Sequence, residues 1–545
     1  MHINKLKGKD VLLILLSIAL FSCNKYLEII PTDQVSDPTV WSDAATTDLF
    51  LNGIYSRLPN QSGEPLDNFS DDGINGINQV SGSRTLYATS IYTPSNVPNN
   101  WAAFYSNIRN CNTFIEKVTT SKLPDSWKIK RLAEARFLRA YYYQSLWIWH
   151  GGVPIITKVL DRNTQGDSIF MPRSTSDETF TFITNELAAI VNDLPLKAEA
   201  GRASQGAALA LKGWCELFEA SPLKNLDNDK SKWALSAVTY KKVMDLGIYS
   251  LFPDYNTLFF EENNNSVETI FAKKYLGGTS LGNSKVAQIG PTFVFGTAHA
   301  FANSNPTQEL VDSYLMANGR TITDPLSGYD TQNPYLNREK RFYQSIVYDG
   351  SFWLGDQMIM KQGVGSRNAT DLGDRNESSN TGYYWRKGLD EKYATINNNQ
   401  NSADFIIFRY AEVLLGYAEA QNEVSGPDEG VYNAINKVRE RSALPALQTG
   451  LNQEEMRTAI HRERRVEFAI EGKRWYDLLR WKIAEKNLNG PLHAISIKDV
   501  NGKWVYSSVP AAVGLRVFYP EKNYVLPIPQ AAMDRNSKLV QNEGY

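Results

Sequence analysis

The sequence predicts a mainly α-helical protein, built as a tetratricopeptide-like superhelix of helix pairs (an α-solenoid) with a loop-rich variable lobe that contains short strands. Three observations favour this fold class. Apolar residues recur at helical spacing, the helical segments come in pairs separated by short breaks, and a central stretch lacks such stripes. The chain has 545 residues, which is too long for one simple core and favours two packed lobes or an extended helical array.

The N-terminus has the pattern of a secretory signal that ends in a lipobox. Three lysines within the first ten residues precede the apolar run 11–21, which is too short to span a bilayer. The small residue Ser22 directly precedes Cys23, where cleavage is expected. We therefore expect residues 1–22 to be removed and Cys23 to carry lipid, because several acyl chains give stable anchoring. The alternative is a plain secretory signal in which Cys23 is incidental.

An N-terminal helical region is predicted over residues 23–260. Apolar stripes with spacings of three and four residues indicate successive helices. Thr175 and Glu178 form a candidate capping box at the start of one of them. The predicted helices cover about residues 131–149, 175–194, 203–220 and 233–244.

Residues 261–404 are predicted to form the variable lobe. This stretch is rich in Gly, Asn, Ser and Tyr, and short β-like runs appear at 269–271 and 345–348. A second loop-rich stretch lies at 67–100. Loops on a rigid scaffold are the usual place for binding residues, so we expect ligand contacts in these two stretches.

A C-terminal helical region is predicted over residues 405–545. Asn452 and Glu455 make a capping box, and Leu451 with Met456 fits a hydrophobic staple. The predicted helices cover about residues 405–423, 430–442, 452–470 and 475–484.

The net charge and the cysteines argue against a nucleic-acid-binding protein and against a disulfide-bonded one. The net charge of −2 creates no field that would attract nucleic acid. Cys111 and Cys215 lie in helical patterns, so we predict buried thiols in preference to a disulfide.

The sequence contains no known metal or cofactor motif. The five histidines are scattered, without the spacing that a zinc site needs, and we predict no cofactor. Candidate oxygen ligands for a structural Ca²⁺ are Asp71 with Asp72, and Asp371 with Asp374, although the EF-hand pattern is absent. The alternative is that these carboxylates are simply solvated.

The chain is rich in aromatic residues, with 12 Trp, 28 Tyr and 23 Phe. A sugar ring packs its C–H face on an aromatic ring, and its hydroxyls bind amides, carboxylates or arginine. Aromatic residues in the predicted loops are therefore candidate ligand contacts, although each could equally belong to a local core. The candidates are Arg84, Tyr87 and Tyr92 in the first loop and Trp353, Tyr383, Tyr384 and Trp385 in the middle lobe.

Carboxylates and arginines alternate in the C-terminal helices. Arg409, Glu412 and Glu419 can share one helix face, and Glu463 and Glu467 lie in a similar pattern. One interpretation is a pair of catalytic carboxylates for glycoside hydrolysis. We favour buried ion pairs, because neighbouring arginines lower a carboxyl pKa and remove the general acid.

Motifs spread in order along the whole chain resemble those of the SusD/RagB family of Bacteroidetes nutrient-binding lipoproteins. They are Cys23–Glu28, Ala133–Tyr142 with Gly151–Pro154, Gly201–Ala203, Pro306–Val311, Lys340–Tyr343, Phe408–Leu415 with Ala418–Ala420, Glu463–Phe468, Glu471–Leu478, Leu526–Pro529 and Gln541–Tyr545. The resemblance implies helix pairs that cradle a variable lobe, and a RagB/SusD domain at about 265–545. It also implies a lipoprotein that faces outward from the outer membrane.

The resemblance further implies a partner, a SusC-like TonB-dependent transporter over which the protein sits as a lid, and a ligand that is mostly an oligosaccharide. We therefore expect a non-catalytic nutrient-binding protein. The alternatives are a surface glycoside hydrolase on a helical scaffold, a peptide-binding member of the same family, and a structural lid without a ligand site.

Overall fold

The computed structural model describes residues 40–58, 66–76, 83–97, 100–370, 378–395 and 399–545, so the predicted lipid site Cys23 lies outside it. The helices are α1 (Ala44–Tyr55), α2 (Ser83–Thr89), α3 (Trp101–Thr120), α4 (Asp125–His150), α5 (Arg162–Gln165), α6 (Ser176–Ile190), α7 (Gln205–Ala220), α8 (Lys230–Asp245), α9 (Lys285–Ile289), α10 (Gln308–Ser313), α11 (Lys340–Ser345), α12 (Tyr410–Ser425), α13 (Glu429–Arg441), α14 (Gln453–Glu467), α15 (Lys473–Arg480), α16 (Ala484–Asn487) and α17 (Gln530–Arg535). The strands are β1 (Gly73–Asn75), β2 (Thr269–Lys273), β3 (Phe293–Val294), β4 (Thr297–Ala298), β5 (Ser304–Pro306), β6 (Ile346–Val347), β7 (Phe352–Trp353), β8 (Asp356–Gln357), β9 (Tyr384–Trp385), β10 (Phe405–Arg409), β11 (Gly490–Val500) and β12 (Lys503–Arg516).

Long helices pack in pairs and form one array. Short connections join α3 to α4, α7 to α8 and α12 to α13, and the members of each pair pack on each other. Helix α8 also packs on α12, and α12 packs on α14, so the N-terminal and C-terminal helices share one hydrophobic core. Between α8 and α12 the described elements are short helices and two-stranded ladders. The predicted fold class is confirmed.

Both predicted capping boxes form. The Thr175 hydroxyl accepts the Glu178 N–H at 3.1 Å, and the Glu178 carboxylate accepts the Thr175 N–H at 2.7 Å. Asn452 and Glu455 exchange the equivalent bonds at 3.0 and 2.8 Å. Each box satisfies two backbone donors that a helix start leaves without partners, so these boundaries could be found from local sequence.

At one predicted helix start the structure has a strand instead. Residues 405–409 form strand β10, which pairs antiparallel with β2, and the helix begins only at Tyr410. The run contains two phenylalanines and two isoleucines, which favour a strand, and a short apolar run does not by itself distinguish strand from helix.

The ribbon β11–β12 lies inside the stretch 405–545 that was predicted as a helical region, although no individual helix was predicted there. Asn501 and Gly502 join its strands with positive φ values of 55° and 78°, as a two-residue hairpin turn requires. The ribbon packs on the middle lobe, because Ile495 donates its N–H to Thr381 O at 2.9 Å and Ile497 O accepts from Gln362 N at 2.9 Å.

Buried ion pairs join the middle lobe to the helical array. Arg341 on α11 contacts Glu463 at 2.7 Å and Glu467 at 2.9 Å, both on α14. Arg409 on β10 also contacts Glu467, at 2.6 Å. Glu412 pairs with Lys473 at 2.9 Å. The ion-pair interpretation of the acidic motif residues is therefore confirmed.

Cys111 and Cys215 are buried free thiols, as predicted. Among the described residues, no helix is long and apolar enough to cross a membrane.

Candidate functional site

The four aromatic candidates in the middle lobe are core residues. Trp353, Tyr383, Tyr384 and Trp385 are each 0 % exposed and belong to one hydrophobic cluster. Three of the four also have hydrogen-bonded polar atoms: the Tyr383 hydroxyl donates to Gln308 Oε1 at 2.7 Å, the Tyr384 hydroxyl donates to Asn368 Oδ1 at 3.0 Å, and Trp385 Nε1 donates to a serine hydroxyl at 2.9 Å. Their predicted role as stacking surfaces is corrected, because no ring face is accessible to a ligand.

The candidates of the first loop are similarly placed. Tyr87 and Tyr92 are 8 % and 4 % exposed and pack in a cluster with Trp475. The Tyr92 hydroxyl accepts a hydrogen bond from Asn523 at 2.7 Å. These rings tie α2 and its following loop to the C-terminal region, so they too serve the core. The side chain of Arg84 lies outside the described residues.

A different candidate site begins at an exposed phenylalanine. Phe352 is 60 % exposed and lies in hairpin β7–β8, directly opposite Gln357. The next pair, Trp353 and Asp356, points to the other face, because successive strand residues alternate. Phe352 and Gln357 therefore present their side chains outward together.

The chain beyond β8 continues this outward face. Met358 donates its N–H to Ser351 O at 2.8 Å, which extends the pairing of the hairpin. Met358 and Met360 are both 0 % exposed, so Ile359 and Lys361 point outward between and beyond them.

An exposed tryptophan lies at the far end of this outward face, next to Lys361. Trp504 on β12 is 37 % exposed, and the Lys361 ammonium lies 5.4 Å from its ring centroid. We name this surface the outer strip; it consists of Phe352, Gln357, Ile359, Lys361 and Trp504. From Gln357 to Lys361 it extends roughly 13 Å, at about 3.3 Å per extended residue. Two rings at the ends, with an amide and an ammonium between them, suit a chain of sugar rings.

The polar end of the outer strip is held in place from below. Lys361 contacts the Asp349 carboxylate at 3.2 Å, and Asp349 also accepts from the Tyr506 hydroxyl at 3.2 Å and from Met360 N at 2.9 Å. Burial and the nearby Asp349 charge raise the pKa of Tyr506 to about 12, so this hydroxyl remains a donor at neutral pH. The lysine, and through it the indole ring, is therefore pre-positioned.

Sequence reasoning missed the outer strip, although part of its signal was present. Trp504 follows the Asn501–Gly502 turn between two alternating strands, which is a strong hairpin pattern. An alternating strand on the surface exposes every second side chain. Which side faces solvent depends on the lobe below, and that information is not local.

A third exposed ring lies outside the strip. Phe295 is 70 % exposed and has a φ of 48° in the turn Phe295–Gly296 of hairpin β3–β4. Its N–H donates to Asp356 Oδ2 at 2.7 Å, so it approaches β7–β8 from the Trp353 side. A left-handed conformation at a residue with a β-carbon costs on the order of 1 kcal/mol.

The predicted calcium ligands face arginines. Asp71 Oδ1 accepts from Arg474 Nε at 2.7 Å, and Asp72 Oδ1 accepts from Arg465 Nε at 2.6 Å. Asp371 and Asp374 lie outside the described residues. Within the part of the chain that the structure describes, His, Cys, Asp and Glu side chains nowhere gather in threes as a metal site requires.

The helical fold and the outer strip together indicate the general class of this protein. A helical scaffold that presents an aromatic surface strip, and that locks its acidic motif residues in ion pairs, has the construction of a binding protein.

The chain belongs to the SusD family. The profile of the SusD family matches residues 267–545. A second profile, described as "Starch-binding associating with outer membrane", matches residues 25–213. Together they confirm the resemblance drawn from the motifs. Membership supports a nutrient-binding role, the second description implies association with the outer membrane, and neither description names an enzyme.

Relatives support the same assignment. A SusD-like protein of Bacteroides ovatus is 27 % identical over 429 residues, which are 75 % of this chain and 71 % of that protein. The crystal structure of a SusD-like protein from Bacteroides fragilis is 29 % identical, with a TM-score of 0.80, and the match covers 94 % of this chain and all of that one. A SusD-like carbohydrate binding protein from the same species is 26 % identical, with a TM-score of 0.77, over 92 % of this chain and 100 % of that one.

Proposed function

We propose that this protein is a non-catalytic, lipid-anchored cell-surface protein that captures an oligosaccharide and delivers it to a SusC-like TonB-dependent transporter. The observation that carries the binding part is the outer strip, with Phe352 and Trp504 exposed at its two ends. The family description "Starch-binding" and the carbohydrate binding relative support the same class of ligand.

The outer strip suits recognition by stacking and hydrogen bonding. The rings of Phe352 and Trp504 offer apolar faces, whereas Gln357 and Lys361 offer polar groups to sugar hydroxyls. Since the two rings stand at opposite ends, a chain of several sugar units can contact both, and a single sugar contacts only one. We therefore expect affinity to rise with oligosaccharide length.

The acidic motif residues support a function without catalysis. Burial alone would raise the pKa of Glu419, but Arg480, whose guanidinium donates to the carboxylate at 2.5 and 2.7 Å, holds that pKa at about 2. A glycosidase needs one carboxylic acid that is protonated near neutral pH. Glu419 is therefore ionised at neutral pH, where it joins helices α12 and α15 and has no proton to donate.

Binding is tested by calorimetry of the wild-type protein against neutral oligosaccharides, including starch fragments of increasing length, and against peptides. We expect saccharide binding that falls by at least about fivefold in the double variant Phe352→Ala/Trp504→Ala, from roughly 0.5–1.5 kcal/mol for each lost ring contact.

Tyr519→Ala is the matched control, because Tyr519 is an aromatic residue that is 43 % exposed away from the strip. Equal saccharide affinity in the double variant and the wild type would refute the site, and binding of peptides alone would refute the ligand class.

A further inference from the structure

A groove with a volume of about 480 Å³ lies between the end of α4 and the start of α6. The C-terminal residues, including Lys538 and Val540, close one side. Gly151 and Gly152 line another side, where the absence of side chains leaves room. We name it the cationic groove; its charged and hydroxyl-bearing walls are Arg173, Ser176, Lys224 and Lys538.

The three cations of the groove have no carboxylate partner among the described residues. Arg173 donates only to neutral acceptors: the carbonyls of Gly152 at 2.7 Å, Val540 at 2.7 Å and His150 at 3.0 Å, and the side-chain oxygen of Asn542 at 2.8 Å. Several buried arginines of this protein face Glu or Asp, as Arg409 and Glu467 do. Arg338 and Arg516 bind backbone carbonyls as Arg173 does, but Arg173 differs from them in lining an open groove.

Lys224 is held by a hydroxyl and a ring. Its ammonium donates to Ser176 Oγ at 2.9 Å and lies 5.9 Å from the Trp147 ring centroid. Burial lowers its pKa, and the fields of Glu219 and Asp177 act in the opposite direction. Glu219 is itself paired with Lys232 at 2.7 Å, so that carboxylate is not available to the groove.

The groove presents hydrogen-bond donors without matching acceptors. Ser176 Oγ already accepts from Lys224 and from Trp147 Nε1 at 3.0 Å, and in the described part of the chain its own O–H has no acceptor. An ammonium carries three donors, and one of those of Lys224 is used. A wall made of donors fits an anion, which only accepts hydrogen bonds, better than it fits a neutral sugar hydroxyl, which both donates and accepts.

We infer that the cationic groove binds a compact oxyanion, namely the carboxylate, sulfate or phosphate group of a small ligand. Lys224, Ser176 and Arg173 would contact the anion from one side, and Lys538 would close over it from the C-terminal side. This site shares no residue with the outer strip, and the inference does not depend on the proposed function.

The test measures binding of four probes to the full mature protein by calorimetry: inorganic sulfate, inorganic phosphate, glucuronate and glucose. We expect glucuronate or an inorganic anion to bind and glucose, which lacks the carboxylate, not to bind. Binding should weaken as salt rises from about 20 to about 200 mM, because exposed charges are screened. If glucuronate alone binds, the group recognised by the groove is a sugar carboxylate. If all three anions bind, the groove accepts any compact oxyanion. Both results support the inference.

Lys224→Gln should weaken anion binding by about tenfold, as expected for a charge-assisted hydrogen bond. Lys538→Gln, at an exposed position where a substitution should change stability little, should weaken it about threefold. Lys437→Gln, an exposed lysine on α13, is the matched control and should bind as the wild type does. The inference is overturned if no anion binds the wild type, or if Lys224→Gln and Lys538→Gln both bind as tightly as Lys437→Gln.

Discussion

Arg409 and Glu467 meet in the centre of the protein. Arg409 Nη1 lies 2.6 Å from Glu467 Oε1, and the side chains are 1 % and 0 % exposed. The pair joins strand β10 to helix α14, and Arg341 of the middle lobe contacts the other carboxylate oxygen at 2.9 Å. One carboxylate therefore connects three parts of the chain that are distant in sequence.

Neutralising that carboxylate should destabilise the whole protein. Glu467→Gln leaves Arg409 and Arg341 buried without their shared counter-charge, so we expect the free energy of unfolding to fall by about 3–5 kcal/mol. Chemical denaturation measures this. Glu521→Gln, at an exposed position, is the control and should change stability little. A similar small loss in both variants would show that the network does not hold the lobes together.

Mild acid should weaken the fold through His150. Burial lowers the pKa of this histidine to about 4 from its ordinary 6.5, so between these values the unfolded chain binds the proton and the folded protein does not. The stability that the folded protein has with His150 neutral is fully present above about pH 6.5 and is lost as the pH falls towards 4. This loss in the free energy of unfolding amounts to up to about 3 kcal/mol.

The measurement compares unfolding free energies of wild type and His150→Gln from pH 7 down to pH 4. The wild type should lose more stability than the variant over this interval. Asn163→Gln, at an exposed position whose side chain does not titrate, is the control and should follow the wild-type curve. Parallel curves for wild type and His150→Gln would contradict the assignment.

Replacing a strained phenylalanine should stabilise the protein. Phe295 has a φ of 48°, and asparagine tolerates this conformation better, so Phe295→Asn should raise the free energy of unfolding by roughly 0.5–1 kcal/mol. Phe301→Asn is the control, since Phe301 is 37 % exposed and its φ is not positive. Because Phe295 lies outside the outer strip, saccharide affinity should not change; a loss of affinity would extend the site to this ring.

Membrane attachment should depend on one cysteine. We expect Cys23→Ser to prevent lipidation, so that the protein leaves the membrane fraction, because in this proposal the acyl chains provide the anchor. Cell fractionation and surface labelling measure the distribution, and Cys111→Ser, at a buried thiol, is the control. Membrane association that persists in Cys23→Ser would contradict the lipid anchor.

Local signals made several features predictable. The capping boxes at Thr175 and Asn452 were found because each needs only residues three apart. The start of α12 was misplaced because a strand such as 405–409 is defined by a partner at 269–273, more than a hundred residues away.

The candidate site was predicted less well, for a physical reason. Ring chemistry made Trp353 and Trp385 candidate ligand contacts, but both fill the core of a lobe whose described helices are short. Phe352 stands next to Trp353 in the same strand and is exposed only because alternation places it on the opposite face.

Residue type and short spacing were enough to predict the helical class, the order of the family motifs and the tendency of acidic motif residues to form ion pairs. The packed structure was needed to show which rings are exposed, which arginine pairs with which carboxylate and which cations have no counter-ion among the described residues. Those properties arise when segments far apart in sequence pack together, and burial exists only after they have done so.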